Sequence, residues 1–150
     1  MLDFLWHLRG SGRLDNIDSD AAVLDRVEGL LSKQRKPVSE RGAEHLTFND
    51  PLWRDPMGPN WLALVFYDRG RFWIARDPHG RELRYDLRSL HGMIFCLFAG
   101  VTAFLFGVFG GGLSQGLKYA GVAFAWLYGV NILLALFRVP SAIHKSVVDA

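Results

Sequence analysis

The chain has 150 residues, half of them hydrophobic, with 17 Lys and Arg, 15 Asp and Glu, a formal net charge of +2 and one cysteine. A single cysteine excludes an intramolecular disulfide. The averages also hide two unlike halves, because Asp149 is the only acid after residue 89 and Lys118, Arg138 and Lys145 the only Lys or Arg, too few for the surface of a globular domain.

Residues 1–17 form the first segment. Met1 to Arg9 carries an acid at Asp3 and too short an apolar stretch for a signal-peptide core. It reads instead as an amphipathic segment, with Phe4, Leu5 and Leu8 on one side, that lies on a membrane surface or caps the following domain.

Residues 18–88 have the composition of a small charged domain. Asp18-Ser19-Asp20 offers helix N-cap chemistry, and Val23, Leu24, Val27, Leu30 and Leu31 then recur on one helical face. Lys33, Arg35 and Lys36 suit the C-terminal end of the helix dipole, and Pro37 stops the helix. The period then changes to two. Leu46 and Phe48 alternate with His45 and Thr47, a short strand. Three prolines in the eleven positions from Asp50 to Asn60 exclude regular structure there. Leu52, Trp53 and Met57 in that loop are candidates for contact with a partner or the bilayer, unless Trp53 folds back onto the core.

Trp61 to Tyr67 is an apolar run of strand length, and Asp68-Arg69-Gly70-Arg71 reads as a tight turn with Gly70 free to adopt a left-handed conformation. Phe72 to Arg76, the turn Asp77-Pro78-His79-Gly80 and Arg81 to Leu87 complete a three-strand meander. The fold class expected is therefore α+β, a helix laid across a small antiparallel sheet with the 45–49 strand added.

Residues 89–138 are different material. Two apolar runs, about Leu90 to Phe109 and Tyr119 to Phe137, contain no Asp, Glu, Lys or Arg, and each is long enough for a ~30 Å hydrocarbon core. The linker Gly110 to Lys118 is short enough to force an antiparallel transmembrane hairpin, with Ser89 as cap of its first helix and residues 139–150 as a tail. Arginines flank both outer ends, whereas the linker holds only Lys118, so both termini are expected in the cytoplasm, at the inner (plasma) membrane of a bacterium.

Small residues recur every four positions at Ala99, Ala103, Gly107 and Gly111, and again at Gly121, Ala125 and Gly129. Such stripes let helices approach closely in lipid, within the hairpin or against another subunit. With the turn centred near Ser114, Asn131 falls within reach of Thr102 for a cross-helix hydrogen bond. The cations expected to meet lipid headgroups are Arg71, Arg76, Arg81, Arg84, Arg88 and Arg138.

Chemistry-bearing motifs do not emerge. His7, His45, His79, His91 and His144 show no metal-ligand spacing, Cys96 stands alone, and no nucleophile elbow, phosphate loop or paired-carboxylate signature occurs. Asp50, Asp55, Asp68 and Asp77 read as turn residues. No cofactor, metal, catalytic residue or nucleic-acid partner is expected, and a transport path would need ionisable groups at depth that the spans lack. The reading is a non-catalytic accessory or scaffold protein that presents a cytoplasmic domain at the membrane surface and binds a membrane protein partner or its own copies. The alternative is a lipid- or amphiphile-binding membrane protein.

Overall fold

The computed structural model describes residues 6–14, 19–51, 54, 62–78 and 80–147. It is α+β: a five-stranded antiparallel sheet and two helices, one of them long and apolar. In chain order the elements are β1 (His7–Arg13), α1 (Asp20–Lys33), β2 (Val38–Arg41), β3 (His45–Asn49), β4 (Arg69–Asp77), β5 (Gly80–Arg88) and α2 (Leu90–Val147). The strand order is β1-β5-β4-β3-β2.

α1 forms where its pattern places it. Ser19 is the N-cap, its hydroxyl accepting from the Ala22 N–H at 3.2 Å, and Val23, Leu24, Val27, Leu30 and Leu31 are all buried. Arg35 takes a left-handed conformation (φ 55°) just past the helix, and the Gln34 and Lys36 N–H groups close back onto the Leu30 and Leu31 carbonyls. The buried face lies on Leu46, Phe48, Phe72, Ile74, Leu83 and Leu87 from the sheet. Fully burying a side chain the size of Phe48 or Phe72 contributes about 2–3 kcal/mol, so this layer supplies most of the domain's stability.

The sheet departs from the expected meander in three places. Residues 62–67 form turns rather than a strand, with the Val65 and Tyr67 N–H groups bonded to the Leu62 and Leu64 carbonyls. Leu64 and Tyr67 are nonetheless buried, since an uninterrupted apolar run signals burial without fixing a period. Gly70 lies inside β4 and not in a turn. A Cβ there would come within 2.2 Å of Phe48 and 2.5 Å of Leu87, so the position requires glycine for space, not for backbone freedom. The N-terminal segment, expected as an amphipathic stretch on the membrane surface or capping the domain, supplies an edge strand through residues 7–13, and β1 pairs with β5 from His7↔Arg88 to Arg13↔Glu82.

α2 runs from Leu90 to Val147 and is broken at Gly111 and Gly112, the latter at φ 81°. The chain reverses at this break. Gly107 lies against Gly116, Gly100 against Ala120 and Phe124, and the Asn131 amide donates to Cys96 Sγ at 3.8 Å. Because the turn falls at 111–112 and not near Ser114, the register differs from the expected one. Thr102 therefore bonds to the Phe98 carbonyl at 3.0 Å instead of reaching Asn131.

The same register sorts the small residues. Gly107 is buried, Ala99 and Ala103 are half-buried, and Gly111 is exposed at the break. Gly121, Ala125 and Gly129 point away from the first arm: nothing lies within 4 Å of a Cβ built at either glycine, and Ala125 is exposed. The close contact is made instead by Gly100, Gly107 and Gly116. Nor is the C-terminal segment a tail. Helix α2 continues to Val147, and Val139, Ile143 and Val147 are buried in the same core as α1 and the sheet. The Arg26 guanidinium closes this end by donating to the Val147 carbonyl at 2.9 Å.

Candidate binding face of the sheet

Alternation along the strands gives the sheet two unlike faces. One is the core. The other carries Arg69, Arg71 and Trp73 of β4, and among the described residues no helix covers it. Pairing then sets the rows. Asn49, Arg69, Arg88 and His7 lie side by side across four strands, and Thr47, Arg71, Asp86 and Arg9 form the next row. At about 4.8 Å between strands each row is roughly 14 Å long. A cavity of about 560 Å³ opens over these rows, lined among others by Asn49, Arg69, Arg71, Trp73, Arg88 and His7.

The charges in this groove are unequally satisfied. Asp86 accepts from His7 at 2.6 Å and Arg9 at 2.8 Å. Burial opposes its ionisation, but these two partners outweigh burial and hold its carboxyl below the ordinary range. Arg88 is tied to Asp68, with its Nε at 3.0 Å. Arg71 lies 5.8 Å from the Trp73 ring centroid, a cation–π contact. Arg69 and Arg71 are exposed and have no carboxylate partner among the described residues. Arg69 also stands directly opposite Arg88, whose charge Asp68 already offsets.

At the end of this face nearest α2, two ion pairs are built into the fold. Lys36 is buried, its ammonium donating to Asp50 at 2.7 Å and to the Tyr67 carbonyl at 2.8 Å. Asp68, also buried, accepts from Arg88 and from the Leu90 N–H at 3.1 Å. Asp68, and not Ser89, thus caps α2; Ser89 is bonded to the Trp6 carbonyl at 2.7 Å through its N–H. Burial pushes the Asp68 carboxyl up, but the Arg88 and Leu90 donors win and keep it below the usual carboxylate value. Asp50 and Asp68 read as turn residues in the sequence; their work is to neutralise buried or half-buried cations.

The six cations expected at headgroups are dispersed. Arg71 and Arg88 line the groove. Arg84 lies one row further along the same face, next to Asp77 and Glu82. Arg76 and Arg81 sit at the opposite end of the β4–β5 hairpin, roughly 20–25 Å away. They hold Asp20 at 2.7 and 2.6 Å and so fasten the start of α1. Arg138 is exposed on α2, next to buried Val139. Leu52, Trp53 and Met57 lie outside the described residues, as do Asp55 and His79. His7, Asn49 and Arg69 are groove residues that the sequence reading did not single out. The period-two run Arg69-Arg71-Trp73 could have found Arg69 had it been read as a strand and not as a turn.

Among the described residues no group of three or more His, Cys, Asp or Glu is placed to hold a metal ion. Among the described residues one helix, Leu90–Val147, is long and apolar enough to cross a membrane. No protein-family model, curated protein or solved structure matches the chain.

Proposed function

We propose that this is an integral membrane protein whose α2 crosses the bilayer and returns as a two-helix hairpin, holding the α+β domain at the cytoplasmic surface as a non-catalytic scaffold. The observation that carries the reading is that both ends of α2 return to one charged domain. Gly92 packs on Phe66, while Val139, Ile143 and Val147 enter the core. The apolar arms between must therefore project away from it. Their outward side chains include Phe106 (74% exposed), Phe109 (88%) and Trp126 (71%), a surface that water would not tolerate but lipid would. An arm of about 20 residues reaches ~30 Å, one hydrocarbon thickness. The arginine-rich sheet at the open end and the lone Lys118 near the turn favour a cytoplasmic domain and cytoplasmic termini, as at a bacterial inner membrane.

Rigidity supports a scaffold role. Ser89 alone separates β5 from α2, and Asp68 bonds both Arg88 and Leu90 across that junction. The domain thus holds a fixed attitude to the membrane, which suits presentation of a surface to a membrane protein partner or a second copy. The second reading, a lipid- or amphiphile-binding protein, rests on the cationic groove. Native mass analysis of the full chain, extracted in mild detergent, separates the two. A stoichiometric protein partner or a defined homo-oligomer is the expected result. A monomer retaining only lipid would replace the scaffold reading with the second one.

A further inference from the structure

We infer that the groove over Asn49, Arg69, Arg88 and His7 is a binding site for the phosphate of an anionic phospholipid headgroup; this rests on the membrane reading above. The row ends where the membrane begins. His7 and Arg88 stand beside Ser89, and the apolar segment starts at Leu90. The chemistry is that of an oxyanion site. Two guanidiniums, Arg69 and Arg88, project from neighbouring strands at directly paired positions, with the Asn49 side chain flanking one and the His7 ring the other. Arg88 has its Nε and one Nη committed to Asp68, so it is the fork of Arg69, unpaired among the described residues, that can donate paired, charge-assisted hydrogen bonds to phosphate oxygens.

Among the described residues lining the groove the one carboxylate, Asp86, is already met by His7 and Arg9 and does not repel an anion as a bare charge would. Arg69 and Arg71 lack carboxylate partners among the described residues, so the groove holds cationic capacity that the fold itself does not use. Trp73, half-buried beneath Arg71, adds the amphipathic ring that membrane interfaces favour. Three other arginines of β4 and β5 do not offer this. Arg76 and Arg81 are held by Asp20, and Arg84 by Asp77 and Glu82.

The test uses the full chain in nonionic detergent, titrated with short-chain phosphatidylglycerol, short-chain phosphatidylcholine or inorganic phosphate, and read by tryptophan fluorescence and native mass spectrometry. Phosphatidylglycerol should bind and phosphatidylcholine should not, with free phosphate much weaker than the lipid. Arg69→Gln with Arg71→Gln should weaken phosphatidylglycerol binding about tenfold or more, while Arg69→Lys with Arg71→Lys should keep most of it. Arg13→Gln with Lys33→Gln removes the same two charges away from the groove and should change affinity less than about twofold. Equal losses from the two Gln pairs would reduce the effect to net charge and overturn the site. Phosphate binding as tightly as the lipid would overturn the headgroup as its occupant. Failure of the membrane reading shows separately, as a chain recovered in the soluble fraction without detergent.

Discussion

Replacing Gly107 with leucine is expected to lower the stability of the α2 reversal by roughly 3 kcal/mol, at the upper end of ordinary overpacking costs. A Cβ at Gly107 would lie 2.6 Å from the Gly116 Cα and 2.9 Å from the Gln115 carbonyl oxygen. Both obstacles are backbone, so no side-chain rotation relieves them and the arms must separate. In lipid the separated surfaces meet acyl chains as apolar as themselves, and the lost close contact is not recovered elsewhere. Gly116→Val should act alike, since its Cβ would meet the Phe104 carbonyl at 2.9 Å. Ala125→Leu, on the outward face, should stay within about 0.5 kcal/mol. Thermal unfolding of the three variants in one detergent decides the matter, and equal midpoints for Gly107→Leu and Ala125→Leu would remove the packing account.

The second large effect is expected at Asp68. Its side chain is 6% exposed and that of Arg88 33%. Asp68→Ala therefore strands a half-buried guanidinium and also removes the acceptor for the first N–H of α2. About 3 kcal/mol should be lost, within the range for breaking a buried pair from one side. The pH dependence follows in sign. The folded carboxyl titrates below the unfolded value of about 3.9, so its stabilisation is complete above that value and disappears as pH falls through the lower, native one. Asp20 and Asp86 shift in the same direction through their arginine and histidine partners, against the opposing effect of burial. Melting temperatures of the wild type should thus drop between about pH 4 and pH 2, and Asp68→Asn should lower the neutral value while flattening, without abolishing, that drop. An unchanged slope would mean that Asp68 is not ionised in its bond to Arg88.

Much of the domain was legible because its elements bury one clean face. The five buried residues of α1 stand on a single helical stripe, and Leu83, Tyr85 and Leu87 alternate along β5. β1 was not legible for the opposite reason. His7-Leu8-Arg9-Gly10-Ser11-Gly12-Arg13 has almost no apolar alternation to detect, because Gly10 leaves its place to the Tyr85 ring of the neighbouring strand. Four-residue spacing of small residues in α2 was visible in the sequence on more than one face. Which face packs depends on where the chain reverses, and a run of three glycines followed by Leu113 and Ser114 does not specify that. The groove is a matter of register. Arg69 and Arg88 are 19 positions apart and become neighbours through the β4–β5 pairing, and His7 joins them from an edge strand.

The α2 reversal is expected on the far side of a membrane from the sheet. In a Cys96→Ala background, Ser114→Cys and Thr47→Cys place single thiols at the reversal and on the open face of the sheet. A membrane-impermeant thiol reagent added to intact expressing cells should label the thiol at position 114 and reach the one at 47 only after the membrane is opened. Labelling at 114 that likewise required lysis would contradict the hairpin, and with it the placement of the domain at the cytoplasmic surface.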